Sequence, residues 1–109
     1  MTFDEYQKLA LRTARDKSAR HELFHLTMGL AGEAGEVAEK IKKVIRDNDS
    51  DESFIDVENM SKELGDVLWH IAVLANYFDI PFDKIASDNI DKLASRLKRG
   101  TIGGSGDNR

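Results

Sequence analysis

Glu33-x-x-Glu36 and Glu63-x-x-Asp66 are the residues of this chain best suited to do chemistry. Two acids three positions apart on a helix are neighbours on one face. Each pair therefore projects two carboxylates in one direction, and two such helices packed together would gather four. Converging carboxylates repel one another unless a positive charge sits among them. The hard, oxygen-seeking candidate is a divalent ion such as Mg²⁺, with Mn²⁺ as a substitute.

The surrounding pattern predicts an all-α fold of four helices. The first is expected from Phe3 to Asp16, burying Tyr6, Leu9, Ala10, Thr13 and Ala14. A longer second helix runs from Glu22 to Arg46, then a polar loop from Asn48 to Glu52. The third extends from Asp56 to Tyr77 or Phe78, and Asp79-Ile80-Pro81 breaks it. Pro81 suits the first turn of the fourth, which ends at Arg99 with Gly100 as its C-cap. Residues 1–100 make one domain, and the glycine-rich tail 101–109 forms no regular element.

Helical wheels sort the acids. On the second helix Leu30, Ala34, Val37, Ile41, Val44 and Ile45 share an apolar face. Glu33 lies at its edge and Glu36 one step further round. Glu39 falls nearly opposite, in solvent, within reach of Lys43. The third helix is apolar around most of its circumference, through Leu64, Val67, Leu68, Ile71, Val73, Leu74, Ala75 and Phe78, which predicts burial on several sides. Glu63, Asp66, His70 and Tyr77 form one polar strip through that surface, where acids are costly unless paired or bound to metal. His70 either supports the acids or lines a substrate pocket. Trp69 points away from the strip, towards core or interface packing.

Gly29, Gly32 and Gly35 each cost the second helix about 1 kcal/mol relative to alanine. Their spacing suggests close approach by another backbone or a ligand. The fourth helix carries Asn89, Lys92 and Arg96 on one stripe beside Phe82, Ala86, Ile90, Leu93 and Leu97.

Composition narrows the function classes. The 109 residues include no cysteine, so disulfides, thiolate metal sites and cysteine nucleophiles are absent. Charged residues make up 33% of the chain with a formal net charge of −4, which argues against a nucleic-acid polymer as partner but not against a single nucleotide. No run is long and apolar enough to span a membrane, and the acidic start Met1-Thr2-Phe3-Asp4-Glu5 lacks the features of a signal peptide. A soluble cytoplasmic protein is the expectation.

Gly29-Leu30-Ala31-Gly32-Glu33-Ala34-Gly35-Glu36-Val37-Ala38-Glu39-Lys40, with Lys62-Glu63-Leu64-Gly65-Asp66-Val67-Leu68-Trp69, closely resembles the MazG-like nucleotide pyrophosphohydrolases of the all-α NTP pyrophosphatase superfamily. Asn89-x-x-Lys92-Leu93-x-x-Arg96 looks like that family's downstream element. The ending Gly104-Ser105-Gly106-Asp107-Asn108-Arg109 is similar to that of many short members. The resemblance implies Mg²⁺ held by Glu33, Glu36, Glu63 and Asp66. It further implies hydrolysis of a nucleoside triphosphate to monophosphate and pyrophosphate, and a homodimer or homotetramer. Carried over by motif position, Lys92 and Arg96 would contact the phosphates, and Asn89 and His70 would belong to the substrate pocket. Either Glu33 or Glu36 would take a proton from water. The tail is either a disordered end or a loop folding over phosphates with Arg109.

Two rival readings stand beside this one. A non-catalytic helical interaction module would retain the scaffold alone. A di-iron carboxylate bundle would need two Glu-x-x-His motifs, of which Glu22-x-x-His25 supplies one.

Overall fold

The computed structural model describes residues 1–109 as four α-helices: α1 (Phe3–Ala10), α2 (Glu22–Asn48), α3 (Val57–Tyr77) and α4 (Phe82–Arg99). Single 3₁₀ turns at Leu11–Thr13 and Glu52–Phe54 complete the regular structure.

Local signals account for most helix ends. Thr2 caps α1 through its hydroxyl, which accepts from Glu5 N–H at 3.0 Å. Asp56 caps α3 in the same way, accepting from Asn59 N–H at 3.0 Å. Gly100 closes α4 in the left-handed region, at φ 73°. Pro81 is the residue before α4, one position earlier than the sequence suggested, with extended backbone. The starts of α1 and α4 also cap each other. Asp4 accepts from Asp83 N–H at 2.8 Å, and Asp83 accepts from Asp4 N–H at 3.2 Å. Each carboxylate thus meets the positive end of the other's helix.

The first helix is shorter than expected. It gives way to a 3₁₀ turn after Ala10, and Ala14 is already extended. Trp69 explains why this costs little. Its indole N–H donates to the freed Ala10 carbonyl at 3.2 Å and to Thr13 Oγ1 at 2.9 Å, so α3 satisfies the end of α1.

The core lies where α1, α2, α3 and the first turns of α4 meet: Ala10, Leu26, Ala72, Val73 and Phe82, flanked by Tyr6, Leu68, Trp69 and Tyr77 among others. Gln7, a polar residue, joins it. Its Nε2 donates to the Ala72 and Ile80 carbonyls, both at 3.0 Å, and its Oε1 accepts from Phe82 N–H at 3.2 Å. One amide therefore stitches α1 to the end of α3 and the start of α4.

This core is small. Only 9 of 109 residues are buried, and the radius of gyration is 16.9 Å. About 13 Å is usual for a domain of this length. Of the apolar residues expected to cover α3 on several sides, Val73 and Ala75 are buried and Val67, Leu68, Ile71 and Leu74 half-buried, while Leu64 and Phe78 are more than half exposed. The stripe on α4 is likewise reversed beyond Ala86. Ile90, Leu93 and Leu97 face solvent, and Arg96 is the buried residue. Leu9, expected inside on α1, is exposed as well.

Candidate metal centre

Helices α2 and α3 pack along each other, and this brings the two acidic motifs face to face. Glu33, Glu63 and Asp66 each offer a carboxylate oxygen within 4.8 Å of the others. Glu33 and Glu63 are half-buried, and Asp66 is exposed at the mouth of the group. Glu36, one turn further along α2, is exposed and does not join them.

One cation reaches a member of the group. Lys40 Nζ lies 3.5 Å from Glu63 Oε1, with the Glu63 side chain 17% exposed. Lys40 sits seven positions beyond Glu33, on the same helical stripe, so its presence was legible in the spacing. A single ammonium leaves the group short of positive charge. Hard oxygen donors, a net negative balance and close spacing together fit a small divalent cation. An Mg²⁺ ion binds oxygen at about 2.0–2.1 Å and so accepts ligands up to roughly 4.2 Å apart, which modest side-chain rotation would reach. Tyr6 adds a neighbour from α1. Burial raises its phenol pKa, and the Asp66 negative charge raises it further.

His70 stands one turn beyond Asp66, its Nδ1 2.9 Å from the Asp66 carbonyl and its ring edge-on to Trp69. The ring fills the space above Gly29, where an added Cβ would lie 2.5 Å from Nε2. The close approach predicted for three glycines is therefore real at Gly29, where a side chain and not a backbone makes it. Gly32 and Gly35 face open space. Glu39 is half-buried and forms no ion pair with Lys43.

An open groove of about 640 Å³ runs along the start of α2, lined by Arg15, Arg20, His21, Phe24, His25, Met28 and Gly29. Gly29, among its lining residues, is one helical turn from Glu33. Sequence reasoning missed it because Arg15 and Arg20 come from the irregular segment before α2. His21 is held at φ 61°, a left-handed conformation uncommon for a side-chain-bearing residue.

Glu22, half of the partial di-iron motif, is buried and committed elsewhere. Its carboxylate accepts from Arg15 Nε at 3.1 Å and Nη2 at 3.3 Å. His25 lines the groove instead of joining the acids.

The basic stripe of α4 does not pair with the acidic group. Lys92 Nζ donates to Asp107 Oδ1 at 3.2 Å, and Arg96 Nη2 donates to the Asp107 carbonyl at 2.7 Å. Asn89 is exposed in a second groove, of about 390 Å³, with Ile80, Lys84, Ile85, Asp88 and Lys92.

The chain is thus an all-helical protein with paired E-x-x-E and E-x-x-D motifs, three of whose acids converge between two helices. The sequence profile of the MazG nucleotide pyrophosphohydrolase domain matches residues 22–101. The chain belongs to the MazG nucleotide pyrophosphohydrolase family. It is 44% identical to the Gene 37 protein of Mycobacterium phage L5 over 114 aligned residues, spanning the whole of both chains. No solved structure matches it. No helix is long and apolar enough to cross a membrane.

Proposed function

We propose that this protein is a Mg²⁺-dependent hydrolase that converts nucleoside triphosphates, ribo or deoxy, to monophosphates and pyrophosphate, in the sanitation of a cytoplasmic nucleotide pool. The observation that carries the reading is the convergence of Glu33, Glu63 and Asp66 within 4.8 Å in a chain of this family.

Glu33, Glu63 and Asp66 would hold the cation, with Glu36 completing or flanking the set. When bound, Mg²⁺ polarises phosphoryl oxygens and supplies a water acidic enough to lose a proton near neutral pH. The proton acceptor is a carboxylate at the edge of the group, Glu36 or Glu33. Glu36 suits the task because its side chain is exposed and free of any ion pair. Lys40 offsets part of the negative charge and orients Glu63. His70, fixed between Asp66 and Gly29, shapes the wall facing the nucleotide. Lys92 and Arg96 take the charge that develops on the departing pyrophosphate.

The proposal includes a homodimer or homotetramer. Phe24, Met28, Phe54, Val57, Leu64, Ile90 and Leu97 are all more than half exposed, an apolar surface too extensive for a chain with nine buried residues to leave in water. A second copy covering it would also bring more side chains to the acidic group.

The test is to incubate the purified chain with each common ribo- and deoxynucleoside triphosphate and Mg²⁺, following phosphorus resonances. Monophosphate and pyrophosphate in equal amounts are expected. Release of diphosphate and orthophosphate would place the cut at a different bond and overturn the assignment.

A further inference from the structure

The C-terminal tail is folded onto α4 by a set of polar contacts. Arg109 gathers residues 101–106 around its guanidinium, donating to the carbonyls of Thr101, Ile102, Gly103 and Gly106. Arg99 Nη2 donates to the Arg109 carbonyl at 2.8 Å. The ring so formed presents Asp107 to the two cations of α4. One oxygen of its carboxylate lies 3.2 Å from Lys92 Nζ and 3.5 Å from Arg96 Nη2.

This arrangement has the form of an anion site filled from within. The Arg96 side chain is only 4% exposed, although the apolar residues beside it on α4 are open to water. Its Nη2 is engaged by the tail, but its Nε is buried and has no hydrogen-bond partner. A buried unpaired donor on a charged fork is costly, and a phosphate would meet Nε and Nη2 together. Asp107 brings one negative charge and its own side chain is 85% exposed, so water and salt weaken its hold. Lys92 also lines the groove beside Lys84, Asp88 and Asn89, and its side chain is 36% exposed, so an incoming anion can reach it before the tail moves.

We propose that Asp107 is a built-in competitor for the phosphate site: the tail occupies Lys92 and Arg96 in the free protein and yields them to the oxygens of a di- or triphosphate. This rests on the reading that Lys92 and Arg96 bind phosphate. Binding then releases the tail, and departure of pyrophosphate lets Asp107 return.

The probe is inorganic pyrophosphate, titrated calorimetrically into the full-length protein with EDTA present so that no metal contributes. Asp107→Asn keeps the shape and removes the competing charge. It is expected to bind roughly two- to fivefold tighter than the parent, the range an exposed ion pair is worth. In the parent, pyrophosphate should speed amide exchange across residues 103–107. Equal or weaker binding by Asp107→Asn, or exchange unaffected by pyrophosphate, would overturn the competitor while leaving the phosphate site in place. Lys92→Ala separates the two claims. If it binds as tightly as the parent, the phosphate reading of Lys92 fails and the competitor fails with it.

Discussion

His70 stands in the space that a side chain at Gly29 would need, its Nε2 2.5 Å from where a Cβ would lie. The same ring reaches back to the Asp66 carbonyl at 2.9 Å, so the absence of a side chain on α2 sets the position of a ring beside the acids on α3. Gly29→Ala should therefore cost about 1–3 kcal/mol through overpacking, less up to ~1 kcal/mol of helix propensity regained. In a His70→Ala background the overpacking disappears and the same substitution should be neutral or stabilising. Urea midpoints of the four proteins test this, and an equal cost in both backgrounds would contradict it.

Arg15 and Glu22 form the ion pair that fixes the irregular segment before α2. Glu22 is 3% exposed and Arg15 53% exposed. Arg15→Met leaves the carboxylate buried without its partner, at a cost of about 1–3 kcal/mol, below the figure for a fully buried pair because Arg15 is half in water. Glu22→Gln added to that variant should recover most of the loss. Failure of the second substitution to restore stability would mean that Arg15 acts by packing and not by charge.

Tail docking should depend on acid in one direction only. The hydrogen bond from Lys92, with its charge and that of Arg96, lowers the Asp107 pKa from its ordinary 3.8. A carboxylate lowered by folding contributes its stabilisation above its unfolded pKa and loses it as the pH falls through the lower folded value. The ring of residues 101–109 should thus hold unchanged down to about pH 4 and loosen below it. Amide resonances of Gly103, Gly104 and Gly106 report this, and Asp107→Asn should show no such step. A transition near neutral pH would point to a different group.

Much of this architecture was legible in the residues, and the exceptions share a cause. Asp56 and Gly100 announced their helix ends through cap chemistry that depends on neighbours in sequence. Glu33, Glu63 and Asp66 could be matched because each motif keeps its helical spacing. A hydrophobic wheel, however, assigns polar residues to solvent, and here three of them are buried connectors. Gln7 binds backbone groups 65 to 75 residues away, Glu22 meets Arg15 across an irregular turn, and Arg96 is covered by the tail. None of these partners shares a helix with the residue it binds. Ile90, Leu93 and Leu97 fail in the opposite sense. Their spacing predicts a covered face, but nothing within one chain covers it.

Glu33, Glu63 and Asp66 are proposed to hold one divalent cation jointly. Mn²⁺ titration of the full-length protein, followed by electron paramagnetic resonance of the free ion, measures this without reference to turnover. Saturable binding is predicted, weakened at least tenfold by Asp66→Asn with helix content unchanged, since losing even a group that only orients a metal ligand costs about tenfold or more. Mn²⁺ binding of equal strength in the parent and in Asp66→Asn would contradict the assignment.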